Sequence, residues 1–142
     1  MPDDDQSPPL EDSEILAVAG FRFALRRFEQ QTDALVRACG LTPQRYMLLL
    51  AVRSAQVTIG HATVSAIARE LQMPQTTVTD LVARAADVGL IAKDGDNTDA
   101  RVVRITLAGE GDRRLTCAIR SLAGERANLR RALLDATTRH PT

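Results

Sequence analysis

A run of short polar side chains opens one predicted helix: Gln75, Thr76, Thr77, Thr79 and Asp80, with Arg84 one turn further on. Hydroxyls and amides of this length, set at the N-terminal end of a helix, can reach a phosphate or the base edges in the major groove of duplex DNA. Val78, Leu81, Val82 and Ala85 interleave at helical spacing, so the polar set faces outward while the apolar set joins a core. Other chemistries find less support. His61 and His140 are the only histidines, and neither has a Cys, Asp or Glu at the spacing of a metal site or a nucleophilic triad. Asp94, Asp96 and Asp99 look briefly like a calcium loop, yet no glycine turn follows and Ile105 stands where a bidentate Glu is required. The sequence holds no glycine-rich phosphate loop. Catalytic residues, a metal site and a cofactor are therefore not expected.

The elements that must position the polar run can be read around it. Val64, Ile67, Ala68 and Leu71 fall on one face of a short helix with Thr63 as its N-cap and Arg69 and Glu70 on the far side. Gln72-Met73-Pro74 interrupts it, because proline is excluded from a helix interior but accepted at the start of the next helix. Two helices must then meet at an angle. After Val88, Gly89 supplies the left-handed residue that ends the second helix. Leu90 to Lys93 reads as a strand, Asp94 to Arg101 as a turn-forming loop, and Val102 to Leu107 as the returning strand. Apolar helix, turn, threonine-rich helix and hairpin, in that order, are the signature of a winged helix-turn-helix.

This segment resembles the MarR family of bacterial regulators, on Thr76-Thr77-Val78-Thr79, Arg84, Gly89-Leu90-Ile91, Asp99-Ala100-Arg101, Leu107 and Gly111 taken as an ordered set. The resemblance runs from about Leu41 to Leu115 and loosely along both flanks. It implies that Gln75, Thr76, Thr77, Thr79 and Asp80 contact DNA, that Arg101 at the wing enters the adjacent minor groove, and that Asp99 braces the wing against Arg84. It also implies a small lipophilic or phenolic effector, bound in a crevice near Arg22, Arg26, Arg45, Tyr46 and Met47. Departures from the family pattern carry expectations of their own. Residues 94–101 hold three acids and one base, so salt should weaken binding only gently. Asp80 replaces a base, and Ala108 stands where a threonine commonly caps the following helix.

Composition sets the frame. The 142 residues suit a mostly helical protein with one DNA-binding lobe, and 44% apolar content with 3% aromatic calls for a core of Ala, Leu and Val. Formal net charge is zero, yet residues 1 to 14 carry six acids and no Lys or Arg, which leaves the body basic. Residues 1–10 are expected to form a disordered acidic tail, residues 11–40 a dimerisation helix, residues 41–107 the winged lobe, and residues 108–142 the C-terminal dimerisation helix or helices. Absence of a leader and of a membrane-spanning run points to the cytoplasm. There, Cys39 and Cys117 are expected to be two separate buried or half-buried thiols. The resemblance adds an oxidant-sensing alternative, although neither cysteine sits in a motif for it.

Ile15 to Cys39 contains no proline, and Val18, Phe21, Leu25, Phe28, Thr32, Leu35 and Cys39 recur in steps of three and four. Gly40 ends that helix, and Thr42-Pro43 starts another that is apolar nearly all round from Tyr46 to Val52. At the other end Leu115, Leu122 and Leu129 repeat every seven residues, with Gly124 a point for a kink. The resemblance implies that Val18, Phe21, Leu25, Leu115, Leu122 and Leu129 build a homodimer, which sets two reading helices on the half-sites of an inverted-repeat operator. The competing arrangement packs the two helices on each other within one chain. The expected function is a sequence-specific repressor released by a small ligand. The alternative is a winged-helix protein-interaction module that does not bind DNA.

Overall fold

Caps and breakers fix the element order. Thr42 accepts a hydrogen bond from the Arg45 amide at 3.1 Å and Pro43 takes the first helical position, so the chain turns from α1 (Asp12–Ala38) into α2 (Pro43–Ile59) through Gly40, whose φ is 81°. Thr63 caps α3 (Val64–Leu71) by accepting from the Ala66 amide at 3.2 Å. Gln72 closes α3 in the left-handed region, and α4 (Gln75–Asp87) follows Pro74 directly. β1 (Ile91–Gly95) and β2 (Val103–Leu107) form an antiparallel pair, followed by α5 (Gly109–Ser121) and α6 (Ala123–Thr138). The computed structural model describes residues 7–95 and 103–138, with side chains to residue 136. The mostly helical architecture with a two-stranded hairpin, anticipated from the residue pattern, is what the chain adopts.

The described chain falls into two units. One is Asp33–Leu122; the other combines the chain before residue 33 with the chain after residue 122. The first has a continuous core in which Val36, Leu48, Leu49, Val52, Ile67, Val78, Leu90, Ile105, Leu115 and Leu122 are all fully buried. The second has almost none: among its described residues only Ala24 is buried. Leu16, Val18, Phe21 and Phe23 on α1 and Leu134 on α6 are exposed.

Two expectations change. The seven-residue repeat of Leu115, Leu122 and Leu129 suggested one stripe on one seam, but the helix breaks at Leu122. Leu115 and Leu122 are 1% and 0% exposed inside the first unit, and only Leu129, half-buried on α6, lies beyond the break. Their burial in the chain's own core takes both leucines out of reach of a second copy. Cys39 and Cys117, expected as separate thiols, are joined as a disulfide across 5.8 Å between Cα atoms. Separation along the sequence hid the fact that the end of α1 lies against α5.

Candidate nucleic-acid interface

The polar run of α4 sits where its periodicity places it. Val78, Leu81, Val82 and Ala85 are buried, while Gln75, Thr76, Thr77, Thr79, Asp80 and Arg84 lie outside the buried face. Pro74 precedes the helix and offers no side-chain cap, so the first backbone N–H groups of α4 point outward uncapped. A helix start of this kind attracts an anion, since amide donors and the positive end of the helix dipole coincide there. Thr79 donates its hydroxyl to the Gln75 carbonyl at 2.9 Å, which leaves its oxygen lone pairs as acceptors. Asp80 forms an ion pair with Arg84 at 2.8 Å, and both side chains remain well exposed at 59% and 67%. The front of α4 is therefore polar and close to neutral.

The hairpin beside it is held from three directions. Ile91 pairs with Leu107 and Gly95 with Val103, which sets Ile91 and Ile105 toward the core and Asp94 and Arg104 on the outer face. Ala62 and Ile105 exchange two backbone hydrogen bonds of 2.8 Å, adding a single-residue third strand that the sequence did not disclose. Gln56, on α2, accepts from the Leu107 amide at 2.9 Å and fixes the root of β2. Gly111 packs so closely on Leu90 that a Cβ there would lie 1.9 Å from the Leu90 carbonyl oxygen. That oxygen also accepts from the Ala108 amide at 3.0 Å, so α5 and β1 share one backbone junction. Ala108 itself gives α5 no side-chain cap, as the sequence indicated.

Asp99 and Arg101, expected as wing brace and minor-groove contact, lie outside the described residues. Arg84, the expected partner of Asp99, forms an ion pair with Asp80 on its own helix. Two exposed cations of the hairpin, Lys93 and Arg104, were not singled out from the sequence. The alternation of Val103-Arg104-Ile105 carried the signal for Arg104, because a strand with two inward apolar residues must turn the one between them to solvent. Of the residues assigned to an effector crevice, Tyr46 is buried in the lobe. Met47 is exposed and lines, with Pro43, Gln44, Leu71 and Met73, a groove of about 300 Å³. Among the described residues no group of His, Cys, Asp or Glu could hold a metal ion, and no helix is long and apolar enough to cross a membrane.

An angled helix pair with an uncapped, hydroxyl-lined second member and a hairpin anchored at its base is a recurrent DNA-reading architecture. Residues 40–102 match the MarR family. The match covers α2 to α4 and β1 and ends before β2, within the stretch where the sequence resemblance had been drawn. Among solved structures, the MarR family transcriptional regulator AbsC from Streptomyces coelicolor superposes with a TM-score of 0.66 at 19% identity, covering 91% of this chain and 84% of that one. A mutant MarR from E. coli complexed with operator DNA gives 0.68 at 14% identity, covering 92% of each chain. The M. tuberculosis transcriptional regulator MOSR in complex with DNA gives 0.60 at 25% identity, covering 82% of this chain and 87% of that one. These likenesses establish the MarR winged-helix fold. No curated protein sequence matches the chain.

Proposed function

We propose that this protein is a sequence-specific, DNA-binding transcriptional regulator of the MarR type, acting as a homodimer on an inverted repeat. The single observation that carries the reading is the outward row Gln75, Thr76, Thr77, Thr79 and Asp80 on α4, backed by a buried apolar face and flanked by an anchored hairpin. Threonine methyls suit contact with thymine methyls, threonine and glutamine polar atoms suit base edges, and Asp80 can accept from a cytosine amine. The open amides at the start of α4 suit a phosphate that sets the register. Arg84 and Arg101 complete the proposed surface, with Asp99 as the wing brace. Nothing in this machinery calls for bond-breaking chemistry, so binding rather than catalysis is the activity proposed, in the cytoplasm.

The second copy is inferred from the bare apolar surface of the helical unit. Val18 and Phe21 are 64% and 44% exposed, and Leu25 and Leu129 are only half-buried. A unit with one buried residue among those described does not support itself in water, and a second copy of the same surface covers it by two-fold symmetry. Two α4 helices then address half-sites about one DNA turn apart. Repression follows from occupancy of a promoter alone. A small lipophilic or phenolic ligand that favours a different spacing of the two lobes would release it.

A titration against duplexes that include the gene's own upstream region, compared with scrambled duplexes, tests the reading. Binding to the upstream duplex that falls at least roughly tenfold in a Thr76→Ala, Thr77→Ala double variant is the expected result. Equal affinity for all duplexes, unchanged by the double variant, would favour the winged-helix interaction module suggested by the near-neutral front of α4 and the acidic wing sequence.

A further inference from the structure

We infer that Cys39 and Cys117 form a reversible thiol–disulfide site, which exchanges with low-molecular-weight thiols of the glutathione class while the surrounding lobe stays folded. Three observations carry this. First, the fold holds the two cysteines together by means other than their bond. Val36 and Leu41 on one side and Leu115 and Ala118 on the other are buried in the same core, and Arg114 donates to the Gly40 carbonyl at 2.9 Å while its Nε pairs with Glu110 at 2.8 Å. The residues flanking each sulfur are thus anchored, so the thiols of the reduced form remain opposite each other. Second, the two cysteines differ in exposure: Cys117 is exposed, whereas Cys39 is half-buried. Third, the Ser121 hydroxyl lies 3.7 Å from the Cys39 sulfur, on the same helix as Cys117.

Together these assign roles in the exchange. An incoming thiolate attacks the Sγ of Cys117, the more exposed of the two residues, the bond between the two cysteines breaks, and its electron pair leaves on Cys39 as a thiolate that the Ser121 hydroxyl stabilises by donating to it. A second external thiolate attacks the external sulfur of the mixed disulfide, which releases the Cys117 thiolate and an external disulfide. Both protein thiolates then take protons from the two external thiols consumed. The reverse sequence consumes one external disulfide and reforms the bond. Because the bond closes a loop across 78 residues of separation, the stability of the lobe follows the external thiol–disulfide ratio. Ser121 acts here as a positioning residue, since it touches only the leaving sulfur.

The test uses the full chain in buffers of varied reduced-to-oxidised glutathione ratio, with free thiols scored by alkylation and mass, and helical content followed by circular dichroism. One reversible transition between two and no free thiols, at constant helical signal, is expected, with the oxidised form melting on the order of 10 °C higher. Cys39→Ser should accumulate a stable glutathione adduct on Cys117. Ser121→Ala should slow reduction by dithiothreitol several-fold without changing the melting temperature of the oxidised form. Thiols that remain free in oxidised glutathione, or a bond reduced only where helical signal is lost, would overturn the inference. An unchanged reduction rate in Ser121→Ala would overturn the role of Ser121.

Discussion

The pair Asp80 and Arg84 decides the character of the proposed reading surface more than any threonine does. An acid on the front of α4 repels phosphate, and its partner one turn away is held at 2.8 Å and cannot fully offer its charge to DNA. Asp80→Asn should therefore tighten binding to unrelated duplexes by roughly threefold to tenfold at low salt while narrowing the gap to the preferred site, as measured by fluorescence anisotropy. Two further residues lend themselves to direct checks. Gly111→Ala forces a methyl into the Leu90 carbonyl and should cost about 2 to 3 kcal/mol in denaturant unfolding, with the wing disturbed because the same carbonyl holds Ala108. The Arg114 guanidinium hydrogen-bonded to Glu110 holds that carboxyl below its ordinary range, with Arg113 adding to the effect. A lowered folded value means that the contribution is present at neutral pH and fades as pH falls through that lowered value. Since the Glu110 side chain is still partly open to solvent, Glu110→Gln should remove only a small loss of stability in thermal melts taken as pH falls through and below the ordinary carboxylate range. The outward placement of Gln75 to Arg84 was legible in the sequence because helical periodicity alone determines it. The ion pair was not singled out, since the resemblance directed Arg84 toward Asp99.

At the scale of elements, the signals that succeeded were local ones. Thr42-Pro43, Thr63, Pro74 and Gly89 each act within a turn of themselves, and each marks a boundary in the fold. Thr63→Ala should cost about 1 kcal/mol in urea unfolding, because it removes the acceptor for the Ala66 amide at the start of an eight-residue helix. Signals that act at a distance were lost. Ala62 joins the hairpin through two backbone bonds that no side chain announces, and Gln56 reaches Leu107 across 51 residues of sequence. Cys39 and Cys117 were missed as a pair for the same reason. A seven-residue leucine spacing pointed to helix on both sides but not to the break at Leu122, which puts Leu115 and Leu129 on different helices in different surroundings.

The whole molecule pairs a lobe with a dense core and a helical unit whose described residues have almost none, and that contrast is the physical ground on which a homodimer is proposed. Replacing Val18 and Phe21 with Asp places two charges on the bare surface of α1 and should yield a monomer by sedimentation at micromolar concentration, with the lobe still folded by circular dichroism. Operator affinity should fall by at least roughly a hundredfold in that variant, because two tethered half-site contacts become one. The acidic wing sequence adds that affinity should decline only shallowly with salt. Selection of bound sequences from a random duplex pool tests the central claim most directly. Recovery of an inverted repeat whose half-site centres lie about one helical turn apart is expected, and its loss when Thr76 and Thr77 are replaced by Ala. Recovery of no shared sequence, or of the same sequences by the replaced protein, would contradict it.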